Sequence, residues 1–443
     1  MKKRKESDEV LSKKRKDRKN QRKEKFFYSS PRFIINNIRY KCETKIIENK
    51  NCIFYKYINS LNIYEANSNV PLVFKIDEAF CLRKNYEFTI KKILDFYNSL
   101  FINYGKEITL DFSECSVATN FTLSLLNMFV LKFNDYNKTL KRRLVYQYSD
   151  LKIRIRHPKN KEVKNELILT GILRENVEDK KESYIPVHNI GYIKAQTNKK
   201  NYLENQKGKY CLGIVSYIND SLKEHDVELS NQGKRNIEHL VGEILSNCED
   251  HGSFGEYYFT ANLSSKKENN NVISKLNLTF LNIGKSIYSS FIDSKSSNIK
   301  DYMDLFSLLQ KEGNINIESF TNLYILNEGI SRLNKINTDS RGTGTIKFMN
   351  SFFDLCDTNV SDDELMSEIS IISGKSYVKI VDEHKPFKKS NRYFISLNRD
   401  KDITKIPEEG YLKNNTVDFP GTIINFQALL NKNHYLNNLK SDE

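Results

Sequence analysis

Apolar residues recur at three-four spacing through Ile237, Leu240, Val241, Ile244, Leu245 and Cys248, which predicts an amphipathic helix. Ser230 is placed to cap its start and Gly252 to stop it. The same spacing runs through Ile90, Ile93, Leu94, Tyr97 and Leu100, and again from about 120 to 133 through Phe121, Leu125, Leu126, Phe129 and Phe133. Further helices are expected over 165–173, where a glycine breaks the end, and over 210–222. Strand-like runs occupy 71–74, 108–113, 257–263, 276–281, 369–381, 392–398 and 421–426. Strand, polar loop and apolar helix over 108–133 read as a βα unit, and 264–271 reads as a polar hairpin loop. Two helical patterns, 302–309 and 317–333, lie in the long interval between Ile287 and Arg341. An interval of that length is either a mobile cover or an inert packing insertion.

The chain has 443 residues, 39% of them hydrophobic, which suits two folded cores and a tail. The expected organisation is a basic disordered arm (1–25), an α/β domain (26–185), a connector (186–228), a second α/β domain (229–430) and a polar tail (431–443). In the second domain one mixed or antiparallel sheet is covered by helices on one face, a two-layer α/β sandwich. The net charge of +14 is uneven. Residues 1–25 hold thirteen Lys or Arg against five Asp or Glu, a net of +8. Such an arm suits nucleic acid or an anionic surface, and equally a solubilising tail. No apolar run reaches the length of a membrane span, so no membrane partner is expected. No secretory segment is read at the N-terminus. Seven scattered cysteines without metal-site spacing fit reduced thiols in a cytoplasm.

Glu243 and Asn247 are four apart and share one helix face. A carboxylate one turn from a carboxamide suits holding a metal-bound phosphate and orienting a water; a solvated polar stripe is the plainer alternative. Gly284-Lys285-Ser286 imitates the end of a Walker A loop, but Thr279 stands where that loop needs its first glycine. Lys285 is therefore read as an exposed turn residue.

Four pieces in order then carry a resemblance. They are Glu243 to Asn247, Asn282-Ile283-Gly284-Lys285-Ser286, Gly342-Thr343-Gly344-Thr345-Ile346, and Gly421-Thr422 in a late strand. Together they resemble the N box, the two glycine boxes and the closing strand of the GHKL (histidine-kinase-like and HSP90-like) ATPases, closest to the anti-sigma-factor serine kinases. The resemblance covers roughly 229–430. It implies the Bergerat ATP-binding fold, with ATP and Mg²⁺ as cofactors. It makes Glu243 the candidate general base and Asn247 the Mg²⁺ ligand. It places Asn282 and Thr422 at the adenine and Gly284 where the backbone approaches the base. Gly342, Thr343, Gly344 and Thr345 would face the phosphates at a helix start. His251 resembles the His-Gly ending of the same helix in those kinases. The sequence departs at Asn282, where the family has Asp, at Ser286, and at Ile346, where it has Gly.

Residues 70–185 resemble the STAS domain of anti-sigma-factor antagonists, without its Asp-Ser-Ser-Gly pattern. Thr119 stands near the family's regulatory position, but its first reading is a helix cap, as threonine commonly supplies. Three functions follow. The first is an ATPase or serine/threonine kinase module fused to a STAS-like domain, acting as a nucleotide-dependent switch on a protein partner, with a homodimer compatible. The second is a non-catalytic interaction module with a degenerate nucleotide pocket. The third is a nucleic-acid-associated effector working through 1–25.

Overall fold

The computed structural model describes residues 73–102, 107–144, 152–173, 182–184, 193–196, 200–251, 256–268, 271–293, 299–313, 315–327, 344–357, 366–430, 432 and 435–437. The basic arm, the tip of the candidate second glycine turn at Gly342 and Thr343, and the expected stop at Gly252 lie outside them.

The N-terminal unit runs β1 (Val73–Lys75), β2 (Ala79–Phe80), α1 (Tyr86–Ile102), β3 (Ile108–Asp111), β4 (Val117–Ala118), α2 (Asn120–Leu144), β5 (Ile153–Arg156), α3 (Lys161–Leu169) and β6 (Glu182–Tyr184). Its main sheet has the order β1-β3-β5-β6, parallel until β6, which pairs antiparallel with β5. Parallel neighbours need crossovers, and α1 and α2 supply them. Asn160 caps α3 by accepting from the Glu162 and Val163 amides at 2.8 and 3.2 Å. The helix ends where Gly171 takes φ 72°, a left-handed conformation that suits glycine.

The C-terminal unit runs β7 (Ile193–Gln196), α4 (Lys200–Lys223), β8 (Val227–Leu229), α5 (Asn231–His251), β9 (Glu256–Glu268), β10 (Asn271–Ile283), α6 (Ile287–Ile292), α7 (Ile299–Glu312), α8 (Ile317–Tyr324), α9 (Gly344–Leu355), β11 (Glu368–Val381), β12 (Phe387–Lys389), β13 (Arg392–Phe394), β14 (Leu412–Leu429) and β15 (Tyr435–Asn437). Five strands form one sheet, β11-β14-β10-β9-β7, with every pair antiparallel. The overall class is mixed α/β, as expected.

Several boundaries differ from the sequence reading. The expected connector supplies β7 to the sheet and α4 to its cover, because Ile214, Val215, Ile218 and Leu222 of α4 are buried with the core of α5. The expected hairpin loop over 264–271 is mostly strand, with Ser265 paired to Ser274. Within the expected tail, β15 pairs with β8. The second helical pattern of the long interval is short among the described residues, ending at Tyr324.

The largest correction concerns the sheet's second face. One face carries Leu276, Leu278, Phe280, Ile371 and Phe426 into a core with α4, α5 and α9. The other carries Tyr258, Leu281, Ile372, Tyr377 and Ile423 into the core of the N-terminal unit. Helices therefore cover both faces, and α2 lies between two sheets. Every residue from Asn120 to Val130 is buried, the mark of a helix with apolar surroundings on all sides. Most of its buried polar groups find partners: Asn120 with the Asn262 amide of β9 at 3.0 Å and with Glu166 at 3.2 Å, and the Asn127 NH2 with the Thr170 carbonyl at 2.8 Å, while the Asn127 amide oxygen has none among the described residues.

Helix α5 begins as expected. Ser230 Oγ accepts from the Gly233 amide at 3.1 Å, and its carbonyl accepts from Lys234 at 2.9 Å. Ser230→Ala is expected to cost about 1 kcal/mol, because one amide of the first turn loses its partner. Urea unfolding of the variant checks this, and an unchanged midpoint would remove the cap from the account.

Candidate functional site

The site is built on the end of the sheet and on the two helices that cover it there. Leu240, Val241, Ile244 and Leu245 hold α5 in the core, which leaves Glu243 and Asn247 half-buried on one side of it. Helix α9 packs beside α5 through Ile346, Met349, Phe352 and Phe353. Its first residue is Gly344. A Cβ at that position would stand 2.8 Å from Glu243 Oε2. The Glu243 carboxylate thus occupies the space a side chain would need, and only glycine starts the helix there without displacing it. A carboxylate against a helix N-terminus is also favoured by the amide dipoles. Thr345 follows, half-buried.

The third piece lies on the sheet. Asn282 of β10 stands directly opposite Thr422 of β14. By strand alternation both share the face of Leu278, Phe280 and Phe426, the face that α5 and α9 cover. The Asn282 amide oxygen is buried and has no hydrogen-bond partner among the described residues. Such an acceptor is costly unless something donates to it. Gly284 follows the last residue of β10 at φ 150°, its amide donating to the Pro420 carbonyl at 3.2 Å, and Gly421, paired with Ile283, takes φ 144°. Beside Gly284 opens a polar cleft of about 180 Å³, lined among others by Ser286, Tyr288, Glu318, Lys375 and Asp418.

The departures from the resembled boxes have local causes. Ser286, 8% exposed, caps α6 by accepting from the Ser289 amide at 3.1 Å. Ile346 is 3% exposed and packs in the core under α9. Lys285 reaches Asp293 at 2.7 Å on the surface, which is the turn role expected of it. Asp250 and His251 close α5. Thr119 takes the cap position of α2, its carbonyl accepting from Leu123 at 3.0 Å, but its hydroxyl meets the Thr122 hydroxyl at 2.9 Å rather than an amide.

Glu243, Gly344 and Thr345 are thus gathered on two packed helices, and Asn282, Gly284 and Thr422 at one end of the strands beneath. The donor set fits a nucleotide with Mg²⁺. Asn247 offers a hard amide oxygen, Gly344 a side-chain-free helix start, and Asn282 a buried acceptor without a partner among the described residues. Among the described residues no group of three or more His, Cys, Asp or Glu forms a metal site, and no helix is long and apolar enough to cross a membrane.

The sequence reading missed Ser373, a fully buried residue of β11 that meets the Thr422 hydroxyl at 2.8 Å. A serine amid Ile369, Ile371 and Ile372 is a signal of a buried polar contact, but its partner is set by strand pairing. Against known proteins, the chain matches no family model, no curated protein and no solved structure, so the geometry of the site alone carries its functional reading.

Proposed function

We propose that the chain is an ATP-binding module of the GHKL type, acting as an ATPase or a serine/threonine kinase whose nucleotide state is sensed by a protein partner. The observation that carries this reading is the seating of Glu243 against the first residue of α9. Distant segments bring a carboxylate against a glycine at a helix start there, and that supports the reading. Gly344 and Thr345, continuing from Gly342 and Thr343, would turn amides toward phosphates at the helix start. Asn247 would hold Mg²⁺ through its amide oxygen. When bound, Mg²⁺ offsets phosphate charge, as hard oxygen-ligated cations do. Asn282 and Thr422 would accept from the base, and Gly284 lets the backbone come close. Glu243 would orient a water or an acceptor hydroxyl and take its proton.

A second reading, a binder without turnover, is favoured by Ser286 and Ile346. Both have structural duties in place of the glycines that would loosen the phosphate loop. The two readings part in one experiment on the full chain. A fluorescent ATP analogue is titrated with and without Mg²⁺, and phosphate release is then followed. Binding with release supports the enzyme, binding without release supports the second reading, and no binding removes both. Asn247→Ala is expected to bind ATP with an affinity that no longer responds to Mg²⁺. A variant that keeps the wild-type Mg²⁺ response would free Asn247 from the metal role.

A further inference from the structure

Ser373 is 0% exposed, and its hydroxyl meets three groups. The Ile287 amide, at the start of α6, donates to Ser373 Oγ at 2.8 Å. The Gly421 carbonyl lies 3.1 Å away as an acceptor, and Thr422 Oγ1 lies 2.8 Å away. A hydroxyl has one proton and two lone pairs. If the Ser373 proton goes to the Gly421 carbonyl, one lone pair receives the Ile287 amide. The other is left for the Thr422 proton. This assignment satisfies all three contacts at once, and it leaves Thr422 Oγ1 able only to accept from anything bound beside it.

The neighbour of Thr422 across the ladder is Asn282, whose buried amide oxygen has no partner among the described residues. Two acceptors then stand side by side at the end of the sheet. The surroundings hold Ser373 in place. Its carbonyl accepts from Asn322 Nδ2 of α8 at 3.1 Å, and the Lys375 amide donates to Glu318 of the same helix at 3.1 Å. Between them Gly374 takes φ 58° in a β-bulge, where a Cβ would collide with the Glu318 carboxylate. The bulge is thus clamped onto α6 and α8, and Ser373 has little freedom to turn.

We propose that Ser373 is a specificity-determining positioning residue: it takes the Thr422 proton, so that Thr422 Oγ1 and the Asn282 amide oxygen stand together as acceptors and select a base that presents an amino group. The inference rests on the nucleotide reading. It adds that the selectivity comes from a residue that does not touch the ligand.

The test uses the full chain and two probes, ATP and inosine triphosphate, in which a carbonyl replaces the amino group. Wild type is expected to bind ATP about tenfold more tightly by calorimetry, since a carbonyl there leaves acceptors facing an acceptor. In Ser373→Ala the Thr422 proton is released to donate, and the preference should fall to about twofold. Ser373→Thr keeps the hydroxyl and should keep the wild-type ratio. A merely structural role would weaken both probes alike. If Ser373→Ala loses its melting transition, Ser373→Cys, whose sulfur is a weak acceptor, must show the same narrowing. A folded Ala or Cys variant with the wild-type ratio overturns the proposal. A wild-type chain that binds neither probe overturns the nucleotide reading itself, an outcome distinct from binding without a change in ratio.

Discussion

Replacing Glu243 by Ala is expected to lower phosphate release by at least about a hundredfold while changing ATP affinity by less than about threefold. A general base acts on the nucleophile in the transition state and contributes little to holding the ground state. Glu243→Gln keeps the size and the contact with α9 but cannot take a proton, so it should fall as far as the Ala variant. Gly344→Ala should lose release for a different reason. Its Cβ would stand 2.8 Å from Glu243 Oε2, and the carboxylate must swing away. ATP affinity should also drop in that variant, because the helix start is part of the phosphate contact. Phosphate release is measured on each purified variant after its melting transition has been checked. Wild-type release in Glu243→Gln would take Glu243 out of the chemistry, even if ATP still binds.

The pairing of Glu243 with Asn247 was legible because both lie on a helix whose apolar stripe is unbroken, and a helix fixes the relation of residues four apart. The meeting of Glu243 with Gly344 was not legible, since spacing along the chain says nothing of which helices pack together; the resemblance only assigned both to one expected site. The register of Asn282 with Thr422 is likewise a non-local property of strand pairing. What misled the reading of the sheet was its polar face. Asn262, Asn277, Thr279 and Asn425 alternate with apolar residues and look solvent-facing. They are buried instead, with Thr279 bonded to Asn425 at 2.8 Å and Asn262 to Asn120 of α2 at 3.0 Å. Polar residues that are buried, with partners in the sheet or in the helix packed on it, leave the same pattern as polar residues in water. The full extent of α4 was hidden for a related reason: its first turns, from Lys200, are polar, and the apolar stripe becomes visible only from Tyr210.

Arg83→Ala is expected to cost about 3 kcal/mol of stability, the largest structural effect of the substitutions considered, because it strands a buried carboxylate. Glu368, at the start of β11, has a side chain 1% exposed, and the Arg83 guanidinium donates to it at 2.6 Å. Burial alone would lower the Arg83 pKa, but its contacts with Glu368 outweigh that and the net shift is upward, so the guanidinium keeps its charge. Ser370 donates to the second oxygen of Glu368 at 3.0 Å, and Lys379 lies 3.6 Å away. Next to the pair, Tyr86 of α1 stacks on Tyr377 of β11 with ring centroids 5.0 Å apart. These contacts bridge the N-terminal unit and the C-terminal sheet. Lys379 offsets part of the loss when Arg83 is removed, which keeps the expected cost at the low end for a broken buried pair. Urea unfolding checks the value. The double variant Arg83→Ala, Glu368→Gln should recover much of the loss, because a neutral amide needs no counter-charge and still accepts from Ser370. If the two single losses simply add, the pair does not act as a unit. The same experiment reads the layering of the molecule. With α2 buried between two sheets, wild type should unfold in one transition, and Arg83→Ala should be the variant in which the N-terminal unit separates first. Two transitions in wild type would mean that the layers are stable apart, and that the N-terminal unit is free to leave the sheet and expose its second face.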